Sequence, residues 1–169
     1  PPPPPPPTHP HYHFCSYDPG LPGADNFAAD AKRNFGVDER AEVGLVSRNV
    51  RLTARTPDPA SAPQDTRLHW GGELKFCAGF AAASLRGVEL EKFGKEKLGG
   101  YPIHFHMAGD VANKPVVAGN SIHHSYNKCV AVHSTQNLTL SSNVCARAVG
   151  HLFYQEIGDE VNISFTGNL

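Results

Sequence analysis

Ile103-His104-Phe105-His106, Val130-Ala131-Val132-His133 and Leu152-Phe153-Tyr154-Gln155 decide the fold, because they are short alternating runs that repeat at a nearly fixed distance. The first superposes on the second at an offset of 27 residues, and the second on the third at 22. A second series runs beside them. Val116 to Ile122 superposes on Leu138 to Val144 at an offset of 22, and that run on Ile163 to Leu169 at 25. Two strand series recurring together describe one coil of a solenoid, in which each strand lies on its equivalent in the next coil. Val50-Arg51-Leu52 and Val88-Glu89-Leu90 read as earlier members of the array. The fold class is therefore all-β, a right-handed parallel β-helix over residues 41–169. An antiparallel sandwich fits less well, since no two-residue hairpin signal separates the runs. Helical periodicity is confined to one stretch, Glu89 to Leu98.

Strand alternation predicts which side chains enter the cylinder. Ile103, Phe105, Val130, Val132, Leu152 and Tyr154 are expected to point inward. His104, His106, Ala131, His133, Phe153 and Gln155 are expected to point outward. Gly119-Asn120, Asn143 and Gly167-Asn168 stand where strands end, and Gly and Asn tolerate the left-handed backbone of a tight corner.

The outward set carries the chemistry. His104 and His106 leave the same face of one strand, His133 is expected to stack over His106, and Gln155 over His133. Strands about 4.8 Å apart make this a polar stripe roughly 10 Å long, matching one or two sugar units. Imidazoles there could bond hydroxyls, move protons or ligate a metal. His104, His106, His133 and Glu156 are the candidate catalytic residues. The same three histidines are the candidate ligands of a divalent metal; no other cofactor is implied. Glu156 could also pair with Asp159 or Glu160 as a glycosidase acid and base. Tyr101, His124 and Gln155 are candidate substrate contacts. Only one of His123 and His124 is expected to face outward, His151 is expected at a corner, and Trp70 is expected in the core. A structural histidine ladder, satisfying itself and fixing register, is the competing explanation.

Composition narrows the classes. The 169 residues carry 15 basic and 16 acidic side chains, net charge −1, in no blocks, so the basic footprint of a nucleic-acid binder is missing. No 18-residue apolar run provides a membrane span. Pro1 to Pro7 predicts a stiff polyproline rod, and Asp18-Pro19-Gly20-Leu21-Pro22-Gly23 predicts turns, so residues 1–40 form a Pro-rich, irregular segment. His9, His11 and His13 alternate there without a fold to support a metal site. The opening prolines and the stop within an apolar pattern read as a fragment. Cys15, Cys77, Cys129 and Cys145 lack zinc-ligand spacing; three pairings into two disulfides are open, Cys129 with Cys145 among them. Asn137-Leu138-Thr139 and Asn162-Ile163-Ser164 are glycosylation sequons, consistent with a secreted protein.

Three further blocks carry a family resemblance: residues 38–49 (Asp-Glu-Arg-Ala-Glu-Val-Gly-Leu-Val-Ser-Arg-Asn), Gly87-Val88-Glu89-Leu90 with Phe93-Gly94, and Tyr101-Pro102-Ile103-His104-Phe105-His106. Ser121-Ile122-His123-His124-Ser125, Val132-His133 and Gly150-His151 leading to Glu156 follow in order. Together they resemble the β-helix region of the G8-associated family of cell-migration-inducing hyaluronan-binding proteins, cell-surface hyaluronidases and fibrocystin-like proteins. The resemblance implies an extracellular or cell-surface location and a glycosaminoglycan-like partner. It also implies, in some members, hyaluronan depolymerisation. The alternative is a non-catalytic receptor or matrix module on the same fold. The chain departs from the family pattern twice. Gln155-Glu156-Ile157-Gly158 stands where members commonly read Leu-Glu-Asp-Gly, and Glu73 stands where many carry a histidine.

Overall fold

A computed structural model of the chain describes residues 43–61, 66–112 and 114–169. The polyproline run, His9, His11, His13, Cys15 and the boundary expected at residue 40 lie outside the described residues.

The strands are β1 Val50–Thr53, β2 Leu74–Cys77, β3 Ala83–Arg86, β4 Val88–Glu91, β5 Ile103–Asp110, β6 Pro115–Ala118, β7 Ser121–His123, β8 Val130–Gln136, β9 Leu138–Ser141, β10 Val144–Ala146, β11 Phe153–Gln155 and β12 Ile163–Thr166. They form three four-stranded sheets, ordered β2-β5-β8-β11, β3-β6-β9-β12 and β1-β4-β7-β10. Every strand pairing within them is parallel. Each coil thus contributes one strand to each sheet, which is a parallel β-helix. The Glu89–Leu98 stretch is strand β4 followed by turns, because its apolar residues Leu90 and Phe93 serve the cylinder instead of a helix face.

Register follows the repeats at β5/β8, where Ile103, His104, Phe105 and His106 face Val130, Ala131, Val132 and His133. It departs by one residue at β8/β11: Val130 faces Phe153, and Val132 faces Gln155. The same slip occurs where Val117 faces Leu140 and Ile122 faces Cys145, an offset of 23. A one-residue shift turns every side chain to the other face. Phe153 therefore packs against the core, whereas Leu152 is 41% exposed and Tyr154 stacks outside on His151 at 5.3 Å. Leu152, Phe153 and Tyr154 are all apolar enough to fill either frame, so alternation could not choose between them.

The interior is otherwise as alternation requires. Ile103, Phe105, Val130 and Val132 are fully buried, joined by Leu90, Ile122, Leu138 and Leu140. Cys129 and Cys145 are disulfide-bonded inside this core, with Cα atoms 6.3 Å apart. At one corner the left-handed residues are Gly119, Ser142 and Gly167, each one position before an asparagine. The asparagines serve a different purpose from the one expected. Asn143 Oδ1 accepts from the backbone N–H and the amide of Asn120, and Asn168 Oδ1 does the same for Asn143. Asn120 and Asn143 are fully buried, so this ladder satisfies corner groups that water cannot reach.

Candidate functional site

Sheet β2-β5-β8-β11 carries two parallel rows on its outer face. One row is Lys75, His104, Ala131 and Tyr154; the other begins Cys77, His106 and His133. Glu156 N–H donates to Val132 O at 2.8 Å, so Glu156 takes the place over His133 that was expected for Gln155. Gln155 instead occupies the frame of inward Val132 and does not join the stripe.

The rows converge on a compact cluster. His104 and His133 rings lie parallel with centroids 6.3 Å apart, and His106 stands edge-on to both at 4.9 Å. His106 Nδ1 and His133 Nδ1 are 3.1 Å apart. His104 Nδ1 donates to Gly99 O at 3.1 Å, which fixes the tautomer and leaves Nε2 as an acceptor. Nε2 lies 3.8 Å from Glu156 Oε2, and His133 Nδ1 lies 3.7 Å from the same oxygen. Among the described residues neither His104 Nε2 nor Glu156 Oε2 has a hydrogen-bond partner, and both are buried. The Tyr101 hydroxyl donates to the other Glu156 oxygen at 3.3 Å.

Electrostatics divides the roles. Burial, reinforced by the charges of His106 and Lys75, pushes the His104 imidazole down to about 4, so it is neutral near pH 7. Burial alone would raise the Glu73 carboxyl, but Lys75 at 2.8 Å and Lys95 at 3.0 Å outweigh it and hold Glu73 below the ordinary range. Burial, with the Glu156 carboxylate nearby, raises the Tyr101 hydroxyl.

His104, His106, His133 and Glu156 are thus brought together. Tyr101 joins them, but as a fully buried positioning group with no ring face for a sugar. The Glu160 carboxylate is turned to the backbone, where the Ser134, Ile157 and Gly158 N–H groups all donate to it. Asp159 is exposed. His124 immediately follows β7, a strand of another sheet, and lies among His123, Asp58 and Arg147. Trp70, expected in the core, is 53% exposed, with Lys95 and Lys97 ammonium groups 5.6 and 5.5 Å from its ring centroid. Sequence reasoning missed Lys75 and Glu73 as neighbours of His104; Gly71-Gly72 before Glu73 was the available signal. At Gly71 an added Cβ would sit 2.0 Å from the Lys92 carbonyl oxygen, so only glycine lets this segment reach the stripe.

A family model described as "CEMIP beta-helix" matches residues 69–169. The chain belongs to the CEMIP β-helix family. It is 38% identical over 142 residues to the human cell migration-inducing and hyaluronan-binding protein, covering 77% of this chain and 10% of that protein. It is 35% identical over 144 residues to human cell surface hyaluronidase CEMIP2, covering 79% and 10%. A G8 domain-containing protein of Dictyostelium discoideum is 34% identical over 135 residues, covering 79% of this chain and 8% of the relative. The chain therefore spans about a tenth of these relatives' length. No helix among the described residues is long and apolar enough to cross a membrane.

Proposed function

We propose that this CEMIP-family β-helix carries the glycan-acting face of an extracellular protein directed at hyaluronan or a similar acidic polysaccharide. Its working site is His104, His106, His133 and Glu156. The observation that carries this reading is the meeting of two buried acceptors, His104 Nε2 and Glu156 Oε2, 3.8 Å apart and without partners among the described residues. Two acceptors held so close out of water require a proton or a cation between them. Nitrogens of His104, His106 and His133 all lie within 4.8 Å of one another, a donor set suited to zinc or a similar divalent ion. Such an ion, when bound, would polarise a sugar oxygen. The chain's own residues do the rest. Gly99 fixes the His104 tautomer, Tyr101 orients Glu156, and Glu156 exchanges a proton with the glycosidic oxygen or the attacking water. Trp70 between two lysines offers an apolar face and positive charge beside Glu73, which suits a sugar ring bearing a carboxylate. The extracellular setting is supported by the Cys129–Cys145 disulfide and by the name of the cell-surface relative.

A binding module without catalysis is the second reading, favoured by Ile157 where the family resemblance implies an Asp. The site then has one carboxylate not neutralised by lysine, where a two-carboxylate glycosidase needs a pair. The test is loss of hyaluronan chain length, followed by size-exclusion chromatography, with the full-length protein. His106→Ala and Glu156→Gln are expected to slow depolymerisation about 100-fold or more while leaving the melting temperature unchanged. Full-length wild type that retains hyaluronan without shortening it would establish the second reading; wild type that does neither would refute both.

A further inference from the structure

We propose that Glu91, His123 and His124 form a second divalent transition-metal site, on the outer face of sheet β1-β4-β7-β10 and separate from the His104 cluster. The placement begins with register: Glu91 on β4 faces His123 on β7. Consecutive strand residues ordinarily point to opposite faces, which would send His124 away from His123. His124 instead takes a left-handed backbone, φ 51°, and its ring turns back to the same point. The two rings stand edge to face with centroids 5.0 Å apart, and their Nδ1 atoms are 2.7 Å apart. A carboxylate oxygen of Glu91 and one nitrogen from each histidine all lie within 4.8 Å of one another. Thr53 Oγ1 donates to Glu91 Oε2 at 2.9 Å, and Arg51 donates to the same oxygen, leaving Oε1 to ligate.

The outer contacts make this more than a cluster of donors. His123 Nε2 lies 3.1 Å from Glu89 Oε1, and His124 Nε2 lies 3.3 Å from Asp58 Oδ2. A carboxylate on the far nitrogen of each ring is the arrangement that orients metal-bound histidines and strengthens them as ligands. Glu89 holds the proton on His123 Nε2, and with metal bound Asp58 would hold one on His124 Nε2, so that both Nδ1 lone pairs would face the shared point. Glu89 is itself held by Arg51 at 3.1 Å. Without metal, the Arg147 guanidinium at 3.1 Å donates to His124 Nε2, and a proton lies between the two Nδ1 atoms. On metal binding that proton would move to His124 Nε2 and be accepted by Asp58, with the Arg147 guanidinium releasing that nitrogen, so no proton need leave the protein. Among the described residues, the charged groups facing the site are three carboxylates (Glu89, Glu91, Asp58) and three guanidiniums, Arg51 and Arg48 toward Glu89 and Arg147 toward His124. Formal charge is therefore balanced, and the preference for a cation rests on the ligand set. Two imidazoles with one carboxylate select zinc or a similar borderline ion over calcium or magnesium, and three ligands leave a fourth position open. Glu91 and His124 are half-buried, so an ion can enter. A bound ion would tie β4 to β7, and so one coil to the next.

The test is calorimetric titration of zinc chloride into the 169-residue chain carrying His106→Ala and His133→Ala, which removes ligands of the first cluster. One zinc per chain should still bind. Adding His124→Asn, which tolerates the left-handed backbone, or Glu91→Gln should each weaken it at least about tenfold. Nitrogen-15 shifts should show both coordinated atoms to be Nδ1. No saturable binding, or binding unchanged by both substitutions, would overturn the proposal. Should the double-alanine chain fail to fold, anomalous scattering at the zinc edge from wild-type crystals decides instead. A peak between His123 and His124 supports the site, and its absence at saturating zinc refutes it.

Discussion

His104 illustrates what a single position contributes. It is fully enclosed, neutral near pH 7, and bonded through one nitrogen only. Its value of about 4 against an ordinary 6.5 means that the unfolded chain binds the proton more readily than the folded one. Stability should therefore be full above pH 6.5 and fall as the pH drops toward 4, by about 3 kcal/mol at most. Urea denaturation of chelator-treated protein across that window checks this, and His104→Gln should flatten the profile. The residues of the stripe were legible because period-2 alternation assigns a face without any knowledge of contacts. That Tyr101 and His104 would be enclosed was not legible, because the loop through Gly99 that covers them has no periodicity. Trp70 shows the same limit, since a lone aromatic beside two glycines carries no signal of which side it takes.

At the level of the strand, register is the weak point of sequence reasoning and the strong point of the fold. Offsets of 27 and 25 follow from distinctive residues, His106 over His133 and the Leu138-Thr139-Leu140 run over Ile163-Ser164-Phe165. The 23-residue offset at β11 is not legible to within one residue, because three successive apolar side chains fit both faces. The one-residue shift at β11 separates Gln155 from the stripe and places Glu156 in it. The corner ladder fixes the true register. Asn143→Ala should cost about 2–4 kcal/mol in denaturant unfolding, since it strips the buried Asn120 N–H and Val117 O of their partners. Thr139→Ala, on the exposed face of the adjacent strand, should change stability by less than about 0.5 kcal/mol. Val132→Asp, which places a carboxylate inside the cylinder, should prevent folding.

For the molecule as a whole, the described coils form one stack in which most contacts join neighbouring coils, and the disulfide adds a covalent link across 16 residues. Non-reducing peptide mapping should recover Cys129 joined to Cys145 with Cys77 as a free thiol. Reduction should destabilise the fold by about 2–4 kcal/mol. The three sheets divide the chemistry between them. The first carries the His104 cluster, the third the His123 pair, and the second few titratable groups. The central claim is that the first of these faces meets the glycan. Imidazole and indole proton shifts of the 169-residue chain, followed as a hyaluronan tetrasaccharide is added, test it most directly. His106, His133 and Trp70 signals should shift together and saturate while His151 stays still. Saturable binding that leaves those three signals unmoved, or no binding of the tetrasaccharide at all, would contradict the account.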